Sequence, residues 1–134
     1  MIRYMKILWC GLGECCHRIG GEGGILGPDL ARVGAIRAGR DLLESILLPS
    51  ASFAQGYETF GVVLRNGEEL TGVRVRQEDG AFVLREASGR EVRLDEDQVQ
   101  NVERLQLSLM PEGLLAALSR EETRDLLAYL QSLK

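Results

Sequence analysis

Tyr57-Glu58-Thr59-Phe60-Gly61-Val62-Val63-Leu64 is dense in aromatic and β-branched residues, and it runs into Asn66-Gly67. Such residues suit a pleated, half-buried surface, and Asn-Gly is a strong signal for a two-residue hairpin turn. Further on, Leu70–Gln77 alternates through Val73 and Val75, and Asp79-Gly80 marks a second turn. Ala81–Glu86 and Glu91–Leu94 read as short strands around Ser88-Gly89, and Val99–Leu105 as a last one. About five short antiparallel strands with tight turns point to a small barrel, because closure removes exposed edges.

On either side the period changes. Leu42, Leu43, Ile46 and Leu47 fall on one face of a helix over about 38–48, which Pro49-Ser50 stops. Pro111 fits the first turn of a helix to about Leu118. Ser119 and Glu122 then form a capping box, and the helix that follows buries Leu126, Leu127, Leu130 and Leu133. Residues 1–16 are apolar with a few charges and read as part of the folded domain, with no small-residue cleavage site before Cys15. Residues 18–35 are a glycine-rich loop.

The chain has 134 residues, 45% of them apolar and 27% charged, which is one ordinary globular domain or one domain with a small insert. Its apolar runs are too short to span a bilayer. A net charge of -4 disfavours binding to nucleic acid. Most of the acidic excess lies in residues 51–105, Asp95-Glu96-Asp97 among them, which reads as a solvated rim.

The three cysteines, Cys10, Cys15 and Cys16, sit within seven residues and make no disulfide framework. Directly after them comes the single histidine, His17. A Cys followed by His ends the c-type haem attachment sequence Cys-x-x-Cys-His, in which a thiol adds to a haem vinyl group and the next residue ligates the iron. Here Gly13 stands where the first Cys belongs. With one histidine, a second axial ligand would be a thioether, and Met110, in a loop-like stretch before a helix, is the best placed of Met1, Met5 and Met110.

Cys16-His17, Gly27-Pro28-Asp29-Leu30, Leu109-Met110-Pro111 and Leu126-Leu127-Ala128-Tyr129-Leu130 resemble, in their order, class I cytochrome c. The chain looks most like the cytochrome c-like haem-binding domains of planctomycete and verrucomicrobial proteins, which interpose a segment between the Gly-Pro-Asp-Leu loop and the Met loop. The resemblance implies a mainly α cytochrome c-like helical domain, residues 1–52 and 106–134, with an inserted small antiparallel β-barrel, residues 53–105, α+β overall. It implies His17 and Met110 as iron ligands, and haem c attached through a single thioether at Cys16. Cys15, Gly27, Pro28 and Leu30 would lie at the cofactor, with the Pro28 carbonyl accepting the His17 ring N–H. It implies a non-enzymatic electron-transfer module, periplasmic or otherwise exported, whose partner is a redox protein or a neighbouring dehydrogenase domain. Gly13 leaves three accounts open: a surviving single thioether, a substitute thiol at Cys10 or Cys15, or an N-terminus that is not native.

Two other readings stand beside it. One is a haem-free degenerate domain that acts as a protein-interaction module through its β insert. The other is an enzyme with Cys15 or Cys16 as nucleophile beside His17, a pairing that adjacent residues rarely present correctly and that lacks an orienting acid.

Overall fold

The computed structural model describes residues 16–134. The apolar stretch 1–16 that reads as part of the folded domain, with Gly13, Cys10, Cys15, Met1 and Met5, lies outside them apart from Cys16 itself. The chain divides into two compact units: residues up to Ser52 together with Met110–Lys134, and Phe53–Leu109.

In the first unit, β1 (Arg18–Ile19) and β2 (Glu22–Gly23) form a minimal hairpin. Its turn is Gly20-Gly21, both with positive φ, 62° and 86°, where a side chain would be strained. Two helices follow, α1 (Val33–Ile36) and α2 (Gly39–Leu47). A single 3-10 turn, Leu114–Ala117, stands where a helix from Pro111 was expected. Gly113 ahead of it has φ 83°, a left-handed residue that interrupts any helix begun at Pro111. The last helix, α3 (Arg120–Ser132), starts on the expected capping box: Ser119 Oγ accepts from the Glu122 amide at 3.1 Å, and Glu122 Oε2 accepts from the Ser119 amide at 2.9 Å. Leu42 and Ile46 of α2 meet Leu126 and Leu130 of α3 in the core of this unit. Gly34 allows α1 to press on the end of α3; a Cβ there would overlap the Gln131 carbonyl oxygen. Its amide donates to the Leu133 carbonyl at 2.7 Å, so a free C-terminal acceptor of α3 is satisfied.

The second unit is a five-stranded antiparallel sheet in the order β6-β5-β4-β3-β7. The strands are β3 (Thr59–Leu64), β4 (Glu69–Glu78), β5 (Ala81–Arg85), β6 (Glu91–Asp95) and β7 (Val99–Arg104). The turn at Asn66-Gly67 is not the two-residue form. The Leu64 amide donates to the Glu68 carbonyl at 2.8 Å and the Gly67 amide to the Leu64 carbonyl at 2.9 Å, closing a three-residue loop with Gly67 at φ 90°. The β5–β6 turn repeats this construction, with Glu86–Arg90 bonded and Gly89 at φ 86°. That is the three-residue hairpin with a glycine bulge, and it needs only one left-handed residue.

The sheet is strongly curled. A straight ten-residue strand would hold the turns at its two ends about 30 Å apart. Yet the Glu96 amide donates to Gly80, beyond one end of β4, and Gln98 accepts from the Arg65 amide, beyond the other. These two residues belong to the 3-10 turn Glu96–Gln98 that links β6 to β7. The bend is absorbed where the β4–β5 register shifts between Arg74 and Arg76. Val62, Leu64, Phe82, Leu84 and Leu94 fill the concave face.

The expected mainly α cytochrome-like fold is therefore corrected. The described chain is mainly β, with 28% helix. The barrel is corrected too, because β6 and β7 remain the two ends of an open pairing order.

Candidate functional site

The expected haem residues lie in the first unit. The double-glycine turn folds residues 16–30 back on themselves: the Gly24 amide bonds the His17 carbonyl, the Gly27 amide the Cys16 carbonyl at 2.6 Å, and the Leu30 amide the Arg18 carbonyl at 2.8 Å. Gly27 thereby lies flat on the imidazole, where a Cβ would sit 2.6 Å from His17 Cε1. Nδ1 of His17 is 2.8 Å from the Pro28 carbonyl oxygen. A carbonyl only accepts, so Nδ1 carries the proton and Nε2 is the unprotonated nitrogen. Burial holds the His17 pKa below its ordinary value, against the opposing pull of the Pro28 carbonyl. The ring is a neutral, half-buried imidazole.

The structure thus brings together His17, Gly27 and Pro28. Leu30 and Met110 pack instead on the Leu42–Ile46–Leu126–Leu130 core. Cys16 is exposed, and Cys15 is outside the described residues. Among the described residues no group of three or more His, Cys, Asp and Glu side chains could hold a metal ion.

These facts correct the haem expectations. No Cys-x-x-Cys-His signature is present, and the sheet is not a cytochrome architecture. The expected contact between the His17 ring and the Pro28 carbonyl is present, while Met110 packs, partly buried, against the Leu42–Ile46–Leu126–Leu130 core. Haem c and the cytochrome resemblance itself are overturned, and with them goes the ground on which His17 and Met110 were expected to be iron ligands. The periplasmic expectation, argued from haem attachment, loses that argument, and nothing identifies a redox partner. No helix among the described residues is long and apolar enough to cross a membrane.

In the second unit the two faces of the sheet treat arginine differently. On the convex face the register sets Arg76, Val83 and Arg93 side by side, with Glu78, Ala81 and Asp95 in the next row. Arg76 reaches Glu78 at 2.9 Å and Glu91 at 3.2 Å, Arg85 reaches Glu91 at 2.9 Å, and Arg93 reaches Glu78 at 3.2 Å. Hydrogen bonding from Arg85, then Arg76, holds the Glu91 carboxyl below its usual range. Val83 and Ala81 on this face are 2% and 1% exposed, and Thr59, Val73 and Arg85 beside them are buried as well.

On the concave face Arg74 and Arg104 have rings instead of acids. The Arg74 guanidinium lies 4.9 Å from the centroid of Phe60 and 4.8 Å from that of Phe82, and its Nε is buried without an acceptor. Arg104, directly opposite Phe60 in the β3–β7 register, lies 5.8 Å from the Phe53 ring. All three phenylalanines of the chain therefore sit under an arginine. None of these five residues stood out in the sequence. The available signal was that every Phe falls between residues 53 and 82, but only strand register shows which arginine meets which ring.

No family model matches this chain, and no curated protein does. Among solved structures, it is similar to a "putative lipoprotein from Pseudomonas syringae" studied in solution, at 24% identity over 38% of this chain and 98% of that one, with a TM-score of 0.34, a likeness too loose to carry an inference.

Proposed function

We propose that the chain is a haem-free protein-interaction module that works through its β unit, residues 53–109, and performs no catalysis. One observation carries this reading: the concave-face arginines Arg74 and Arg104 are supplied with aromatic partners and no carboxylate, in a unit whose convex-face arginines Arg76, Arg85 and Arg93 are ion-paired. A cation seated on a ring keeps most of its capacity to bind an anion from outside, and arginine and aromatic residues are enriched in protein interfaces. The acidic excess of the surrounding strands argues against a polyphosphate as the partner. This reading needs no particular compartment, since it requires neither haem attachment nor an oxidised cysteine pair.

Photo-cross-linking in the native host tests it. A benzoylphenylalanine placed at the exposed strand position Gln100 should give discrete protein adducts, and one at Ile36, 75% exposed in the helical unit, should not. Adducts from Ile36 alone, or from neither position, would overturn the proposal.

A further inference from the structure

Resting on that interaction reading and naming a partner for it, we infer that the partner is a second copy of this chain, joined edge to edge through β7 with the two Val102 residues opposite each other. Hydrogen-bond alternation defines the edge. The Leu105 amide donates to the Thr59 carbonyl at 2.8 Å, so Leu105 belongs to the set bonded to β3. Glu103 and Asn101, opposite Gly61 and Val63, continue that set. Val102 and Arg104 belong to the alternate set, whose N–H and C=O groups point away. The Gln100 carbonyl points the same way, because a trans peptide sets it opposite the Asn101 N–H. β7 ends the pairing order, so these groups meet no further strand among the described residues. They form a short template for strand addition.

A two-fold axis normal to the sheet lays two such edges antiparallel, and charge then chooses the register. Centred on Glu103, the axis sets two carboxylates directly opposite each other; centred on Arg104, it does the same to two guanidinium groups. Like charges so placed destabilise a strand pair. Centred on Asn101, it faces Arg104 with Gln98, whose carbonyl is already taken by the Arg65 amide. Centred on Val102, it opposes no like charges. Each Val102 amide then meets the copy's Val102 carbonyl, and each Arg104 amide the copy's Gln100 carbonyl. Asn101 faces the copy's Glu103, and Gln100 the copy's Arg104, each contact made twice by symmetry. A side-chain amide donates to a carboxylate and accepts from a guanidinium. None of Gln100, Asn101 and Glu103 has a side-chain partner of its own among the described residues. Val102, partly buried against the concave core, comes to lie beside its counterpart.

The acidic excess of residues 51–105 opposes bringing two copies together, and it distinguishes the two edges of the sheet. Over residues 91–97, β6 and its turn hold Glu91, Asp95, Glu96 and Asp97 against Arg93, which Glu78 and Asp95 already share. β7 holds one acid and one base, Glu103 and Arg104. The β7 edge is therefore the one where two such chains meet with less repulsion. What repulsion remains comes from charges off the seam, so salt screens it while the backbone pairing stays.

The test uses the full chain under reducing conditions, so that its cysteines cannot link copies, and reads mass by sedimentation equilibrium up to about 1 mM chain. A monomer–dimer equilibrium that stops at the dimer and tightens with added salt is expected. N101D sets a carboxylate opposite the copy's Glu103 on both sides of the axis and should weaken the dimer about tenfold. N101K sets an ammonium there and should tighten it severalfold. Asn101 is exposed, so neither exchange disturbs the core. Q77D and Q77K make the same changes of net charge at an exposed position of β4 and should leave association within about twofold of the parent. R104P removes an outward N–H, which an edge strand tolerates, and should weaken the dimer about tenfold. Circular dichroism verifies that each variant is folded; should R104P fail to fold, the opposite responses of N101D and N101K decide. A monomer at every concentration, growth beyond the dimer, weakening by salt, like responses to N101D and N101K, or equal responses at Gln77 would overturn the inference. Cross-links from Gln100 to other proteins, with a chain that stays monomeric, would remove this inference and leave the interaction reading standing; absence of both removes both.

Discussion

The helical unit and the β unit handle their polar groups in opposite ways. In the helical unit they close on near neighbours in sequence: His17 on Pro28, Ser119 on Glu122, Glu122 back on Ser119. In the β unit they close across strands: the arginines of one face are ion-paired, while Arg74 on the other keeps a buried Nε without an acceptor. The order of short words along a chain does not place their side chains in a shared space, whereas strand register does. The cytochrome-like reading rested on word order in the unit whose side-chain hydrogen bonds are local. The open cation lies where only register could have found it.

The largest effects should come from the two cores. Leu84→Ala, at a fully buried position, should cost about 3–4 kcal/mol in the β unit, and Leu126→Ala a similar amount in the helical unit. Hydrogen exchange read by mass spectrometry should show Leu84→Ala speeding exchange in β3–β7 and Leu126→Ala in α2 and α3. Equal effects of either change on both sets would erase the division into units. Gly34→Ala should destabilise the helical unit by about 2 kcal/mol in urea unfolding, because the new methyl group overlaps the Gln131 carbonyl and α1 must move. Ser119→Ala removes the cap of α3 and should cost about 1 kcal/mol by the same measurement.

Much of the β unit was legible before any coordinates, for identifiable reasons. Alternation through Val73 and Val75 and the turn residues at Asn66-Gly67, Asp79-Gly80 and Ser88-Gly89 mark strand ends close to those observed. The three-residue loops were not legible, because Asn-Gly serves either hairpin. Nor was the curl, which depends on a bulge near Val75 and on Glu96 and Gln98 bonding turns at opposite ends of one strand. In the helical unit the capping box predicts its helix because cap chemistry is local. Pro111 misleads, since Gly113 in the left-handed region limits the segment to one 3-10 turn. The candidate site was hidden for a different cause: a cation over a ring is a pairing of residues 14 and 8 positions apart, for Phe60–Arg74 and Arg74–Phe82, and has no sequence pattern of its own.

Two smaller effects sharpen the contrast between the units. The His17 pKa is lowered in the fold by burial, so the folded state resists protonation that the unfolded chain accepts near its ordinary value. Stability from this group is complete above about pH 6.5 and is lost as pH falls below it toward the folded value. The urea midpoint of the helical unit should therefore decline between pH 7 and pH 5, and His17→Gln should flatten that decline, in addition to a pH-independent loss of about 1 kcal/mol from the missing bond to Pro28. A slope unchanged in His17→Gln would assign the acid sensitivity elsewhere. The smallest expected effect is none: chain produced with a cytochrome c maturation system should purify without sharp reduced α and β bands. Their appearance would reinstate an iron role for His17.

The pairing of β3 with β7 has a consequence for how such a chain can be built. The first and last strands of the β unit run antiparallel as direct neighbours, joined at their open ends by the Leu105 to Thr59 bond. The backbone therefore enters and leaves residues 53–109 through one narrow gate. A host polypeptide needs no more than an ordinary surface loop to accept such a cassette, and loop length itself is entropically cheap. The segment is transplantable in principle, a sheet that can be lifted out of one scaffold and set into another while keeping its own core and its own arginines.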